Sequence, residues 1–89
     1  MIQIKDKLFS ECLSEISAVE RAEFELSFSI SDKIASILKS QHMSQRDLAK
    51  LTGKRESEVS KWLTGRHNFT MKTIALISTH LGQPLVNVQ

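Results

Sequence analysis

The chain has no tyrosine, one proline, one cysteine and three glycines among its 89 residues. A lone cysteine, Cys12, cannot close an internal disulfide, so a reducing, cytoplasmic setting is expected. No apolar run approaches the roughly 18 residues a membrane helix needs, and the N-terminus lacks a basic-then-apolar leader pattern. Four Phe and one Trp make the aromatic complement small. His42, His67 and His80 are far apart, and Cys12 has no companion at zinc-site spacing, so neither a metal nor a cofactor is expected. No nucleophile is paired with a base, so the sequence does not read as an enzyme.

A hydrophobic content of 40% and a charged content of 25% are ordinary for a globular domain and argue against a disordered chain. At this length, a single domain near the lower limit for a self-sufficient core is expected. The net charge of +2 conceals an asymmetry. Residues 1–30 carry three Lys/Arg against six Asp/Glu, whereas residues 31–89 carry nine against four. A basic C-terminal part is what a phosphate-binding surface requires.

Helix signals are clear in the C-terminal half. Ser44 as N-cap, with Asp47 three residues on, is an acidic capping box, and Met43 and Leu48 stand at hydrophobic-staple positions. This helix should run to about Thr52 and stop at Gly53. A second fits residues 55–63 and is closed by Gly65. Thr70 caps a third, with Phe69 and Ile74 as its staple, Ile74, Ile77 and Leu81 inward, and Gly82 and Pro84 at its end.

Upstream, Ile30, Ile34, Ile37 and Leu38 mark a further amphipathic helix ending near Gln41, entered at Ser31-Asp32 or earlier. Leu8, Cys12, Ile16 and Val19 suggest a first helix, and Ser17 to Glu20 reads as another capping box. Phe24, Leu26, Phe28 and Ile30 alternate with polar residues, which by period alone fits a strand. A strand needs a partner, and only the tail from Leu85 to Val88 could serve, so helix is the preferred assignment.

Two short helices joined by a glycine-containing turn outline a helix-turn-helix. Ala49 offers a small residue at the crossing and Gly53 tolerates the turn, while Val59 and Trp62 anchor the second helix. Leu48 and Leu51 complete the inner side. At about 100° per residue, Val59, Trp62 and Leu63 share one stripe and Ser57, Ser60, Lys61 and Thr64 lie opposite, with Glu56 and Glu58 flanking. A short-chained polar face is what a helix must present to base edges in a major groove.

Residues 43–82, MSQRDLAKLTGKRESEVSKWLTGRHNFTMKTIALISTHLG, resemble the lambda-repressor-like, or XRE-type, family of helix-turn-helix DNA-binding proteins. The segment GKRESEVSKWLTGRHNF looks like a subgroup found among small bacterial regulators and antitoxins. The resemblance implies an all-α bundle of about five helices, here with an extra acidic N-terminal helix, which binds an operator as a homodimer. It divides the chain into an N-terminal extension, residues 1–30, and a DNA-binding part, residues 31–89.

Carried over by position, the resemblance implies phosphate contacts from Ser44 and Gln45. It places base contacts at Lys54, Arg55, Glu56 and Ser57, with Ser60 and Lys61 one turn later, and backbone contacts at Arg66, His67 and Asn68. Many relatives carry a Gln or Thr pair where Glu56 stands. Leu38 and Leu63 occupy positions where some phage repressors hold an Arg–Glu ion pair, and an apolar contact is structurally neutral or better there.

The chemistry agrees with these roles. Arg55 or Lys61 suits guanine O6 and N7, Glu56 suits cytosine N4, and Arg46, Lys54 and Arg66 suit phosphates. Glu56 and Glu58 equally suit the positive end of a helix. Leu76 and the tail Leu85-Val86-Val88 are the residues expected at a dimer contact or against the N-terminal segment. The acidic N-terminus reads either as a core helix or as a docking surface. In the second case the protein is the antitoxin of a HigA-like pair, holding a toxin protein through residues 1–30 while repressing its own promoter. A recombinase fragment is disfavoured because nothing is left for a catalytic domain.

Overall fold

The computed structural model describes the backbone of residues 3–86 and the side chains of residues 17–86. Four helices follow one another and no strand occurs among the described residues. They are α1 (Gln3–Ser40), α2 (Gln45–Thr52), α3 (Glu56–Trp62) and α4 (Met71–Leu81).

The N-terminal half is simpler than its signals imply. The fold is all-α as expected, and one helix of 38 residues stands where two or more were expected, which leaves four helices among the described residues. Ser17 to Glu20 is helix interior rather than a capping box, whereas the much earlier entry to the helix through residues 30–38 and the preferred helical assignment of residues 24–30 both hold. The physical reason is the absence of breakers, since neither Gly nor Pro occurs before Gly53. At 1.5 Å per residue α1 is about 57 Å long, and Ile30 is the first buried residue along its described side chains. The expectations for Leu8, Cys12, Ile16 and Val88 fall outside the described side chains.

From Ile30 onward α1 supplies one wall of the core. Ile30, Ile34, Ile37 and Leu38 pack with Leu48 and Ala49 of α2, Val59 and Trp62 of α3, Ile77 and Leu81 of α4, and Leu85. Met43, Leu63, Phe69 and Ile74 close the cluster from partly buried positions, which places both pairs of staple residues at the core. One expectation needs correction: Leu51 is 42% exposed rather than inward, because it lies on the solvent side of the last turn of α2. Of the two roles expected for Leu85, the structure shows packing in the cluster that α1 enters at Ile30, and its N–H donates to Ser78 Oγ at 3.3 Å.

The chain reversal after α1 is made by His42, the one non-glycine residue with positive φ (54°) among those described. Its neighbours explain the turn's hold. Met43 N–H donates to Leu38 O at 2.8 Å, and Gln41 Nε2 donates to Leu81 O at 3.2 Å, tying the end of α1 to the end of α4.

The most informative polar contact in the core is Ser31. Its hydroxyl donates to Trp62 O at 2.6 Å and accepts from Gly65 N–H at 3.2 Å, so one buried side chain joins α1 to the end of α3 and to the loop that follows. Gly65 is buried with φ 83°, and a Cβ there would lie 3.1 Å from Phe28 Cδ2. Gly53 has φ 72° but open space around it. Gly65→Ala therefore adds a tight contact, which the Phe28 ring must yield to, to the left-handed penalty of about 1–2 kcal/mol that Gly53→Ala incurs alone. Urea melts of the two variants should show Gly65→Ala as the less stable.

Candidate nucleic-acid interface

α2 begins with the full reciprocal box. Ser44 Oγ accepts from Asp47 N–H at 3.0 Å, and Asp47 Oδ2 accepts from Ser44 N–H at 2.9 Å. The hydrogen bond from the Ser44 backbone, then that from its side chain, holds the Asp47 carboxyl below its ordinary range. Ser44, Gln45 and Arg46 are all exposed around this helix start, where unpaired N–H groups and the helix dipole favour an anion.

α2 ends at Gly53, whose N–H returns to Ala49 O, as does that of Lys54 at 3.1 Å. The chain then turns into α3. Arg55 is the N-cap of α3 but makes no side-chain cap bond, so its guanidinium is not tied to the helix start. Val59 and Trp62 are buried at 0% and 2% exposure, whereas Glu56, Ser57, Glu58, Ser60 and Lys61 are exposed. This is the division that the helical angle predicts. The helix covers residues 56–62, so Arg55 and Leu63 flank it, Leu63 half-buried, rather than forming its first and last turns.

A groove of about 560 Å³ runs between α3 and the loop that precedes α4. Lys54, Arg55, Ser57 and Lys61 line it from the α3 side, and His67 and Asn68 line it from the loop. The groove also takes in Glu58, Thr70 and Thr73, which sequence reasoning did not single out for binding. For Thr70 and Thr73 the signal was present but was absorbed by capping. Thr70 Oγ1 accepts from Thr73 N–H at 3.2 Å, and the two hydroxyls lie 2.9 Å apart. Glu58 differs from Glu56 by its flank. Glu56 lines a separate hollow with Arg46, Lys50 and Lys54, on the α2 side of α3.

The loop residues divide. His67 is half-buried and meets Phe69 edge-on, with ring centroids 4.8 Å apart at 85°. Asn68 lines both the groove and a hollow shared with α1. Arg66 lines only the second, together with Glu20, Glu23, Phe24 and Ser27. Thr64 is exposed, but its hydroxyl donates to Lys61 O at 2.8 Å and accepts from Arg66 N–H at 3.2 Å. Thr64 therefore shapes the loop from within.

Every buried side-chain nitrogen or oxygen among the described residues has a hydrogen-bond partner, and those residues contain no cluster of three metal-ligating side chains. No helix among them is long and apolar enough to cross a membrane. What remains is a capped pair of short helices, crossed over a small residue and joined by a left-handed glycine, with a basic polar face turned outward. That is a helix-turn-helix domain of the DNA-binding class.

A family model described as Helix-turn-helix matches residues 34–86, more than half of the chain. The chain belongs to this XRE-type, lambda-repressor-like family, a regulatory DNA-binding family rather than a catalytic one. No curated protein and no solved structure matches it.

Proposed function

We propose that the protein is a sequence-specific transcriptional repressor that places α3 in the major groove of a duplex operator. The observation that carries this reading is the convergence of Lys54, Arg55, Ser57 and Lys61 with His67 and Asn68 around one groove. α3 lays its polar side toward base edges while Trp62 holds its other side to the core. The start of α2, with Ser44, Gln45 and Arg46, grips one stretch of backbone, and the loop before α4 grips another.

Within the groove the bases are read by Arg55 and Lys61, whose donors suit guanine O6 and N7, and by the hydroxyl of Ser57, with Ser60 exposed on α3 outside it. Arg66 stands outside it and is assigned to phosphate. Lys61→Ala should therefore relax preference at one base position, a loss of about 1–3 kcal/mol of discrimination there. Arg66→Ala should weaken all sequences alike. In vitro selection of bound duplexes with the wild type and each variant tests the assignment, and indistinguishable selected sites for the two variants would reject it.

A single module of this size contacts too little DNA for tight specific binding. Operators of such proteins are read by two copies on half-sites about 10–10.5 base pairs apart, or multiples of that spacing. A palindromic selected site is the expected outcome.

A further inference from the structure

We propose that Glu20 and Glu23 of α1 compete with the DNA backbone for Arg66, so that the acidic part of this helix sets the strength of DNA binding without touching DNA. This rests on the DNA-binding reading above, in which Arg66 is a phosphate contact. The two acids stand on the side of α1 that turns toward the core. Counting back from Ile37, Ile34 and Ile30, the same alternation of three- and four-residue steps falls on Ser27, Glu23 and Glu20. The three isoleucines are buried. One line of the helix is therefore apolar where it meets α2, α3 and α4 and turns acidic where it meets the loop after α3.

Leaving the core does not by itself explain the change. Phe24, Leu26 and Phe28 occupy the same stretch, each at least 52% exposed, so apolar side chains are present there but stand off this line. Glu20, Glu23 and Ser27 line a hollow of about 370 Å³ with Phe24, Asn68 and Arg66, and Arg66 is the cation among these residues. The loop carries Arg66 to the hollow by its backbone. Gly65 N–H donates to Ser31 Oγ at 3.2 Å, Gly65 lies against the Phe28 ring, and Arg66 N–H donates to Thr64 Oγ1 at 3.2 Å.

The root of the Arg66 side chain is thus fixed beside α1, while the residue itself is exposed and its long arm keeps its rotamer freedom. Toward α1 the arm meets two carboxylates, and toward a duplex it meets a phosphate. Both acceptors take the same fork of N–H donors, so the guanidinium serves one or the other. Exposed pairs of this kind are weak, which suits a contact that DNA has to displace.

Titration of a labelled duplex of arbitrary sequence with the full chain, at about 0.05 M salt where screening is weak, reads the competition. Glu20→Gln and Glu23→Gln should each tighten binding about threefold. The salt slope should steepen by up to about 0.9, the share of one phosphate. Glu25→Gln removes the same charge but lies at a different hollow, with Ser17, Ala18, Arg21 and Ala22, and should have a smaller effect. In an Arg66→Ala background the Glu20 and Glu23 substitutions should shrink to the Glu25 effect. All three glutamates are exposed, so melting midpoints should stay near that of the wild type.

Tightening no greater than that of Glu25→Gln, or tightening that survives Arg66→Ala, overturns the proposal, because the acids then act through the overall field. Weaker binding overturns it too, since the acids would then be aiming Arg66 at the phosphate. A wild type that binds no duplex at low salt removes the DNA-binding reading and this proposal together. Binding without coupling to Arg66 removes this proposal alone.

Discussion

Trp62→Ala should unfold the domain or bring it to the edge of unfolding. Trp62 is 2% exposed and sits among residues of α1, α2 and α4. Removing a buried Trp or Phe side chain costs about 3–5 kcal/mol, and a whole domain is stable by only about 5–15 kcal/mol. At 89 residues this chain belongs near the low end of that range. The loss also spreads beyond packing. The carbonyl of Trp62 receives the Ser31 hydroxyl, and the same hydroxyl receives the Gly65 N–H, so a helix end displaced at residue 62 releases the loop carrying Arg66 to Asn68. Thermal melts followed by circular dichroism should show the midpoint falling by well over ten degrees, since about 1 kcal/mol shifts a domain this size by roughly 4–8 °C. A shift of only a few degrees would mean that the ring is not the anchor its burial indicates.

The second large effect is that of salt on operator binding. In the proposed reading Ser44, Gln45, Arg46, Lys54 and Arg66 are the phosphate-side groups of one copy, and two copies on an operator would double them. With about 6–10 phosphates neutralised in all, affinity should drop by about 10³–10⁵ between 50 and 200 mM salt. Titrations of a labelled selected duplex across that range give the slope on logarithmic axes. A flat line would remove the groove-binding model outright, since no other source of affinity in this domain could replace the phosphate contacts.

How much of this could be read before the fold was known depended on whether a feature is local. Ser44 with Asp47, Gly53, Thr70 and Gly82 announce the ends of α2 and α4, because a cap is satisfied within three or four residues. The inward set of Val59 and Trp62 follows from helical angle alone. The N-terminal part was obscured by competing local signals. Ser17-Ala18-Val19-Glu20 and Ser31-Asp32 both look like helix starts, yet the chain between them contains nothing that stops a helix, and a cap signal cannot begin one where none has ended.

Ser31 shows the opposite limit. Its partners lie 31 and 34 residues away, so its role as the link between α1 and the recognition region has no local signature. The site divides in the same way. Lys54, Arg55, Ser57 and Lys61 could be placed by register. That Arg66 faces α1 while Asn68 reaches both sides depends on how the loop packs on Phe28 and Ser31.

The uninterrupted course of α1 also has a mechanical meaning. With no glycine or proline along it, the helix is a stiff shaft set into the DNA-reading head at Ser31 and Ile34. Whatever grips the upper part is held at a set distance and azimuth from α3, and each residue of shaft counts for 1.5 Å of reach and 100° of rotation. Lengthening it by one residue above Ile30 would swing whatever is attached there by more than a quarter-turn while leaving every residue of α2 and α3 in place.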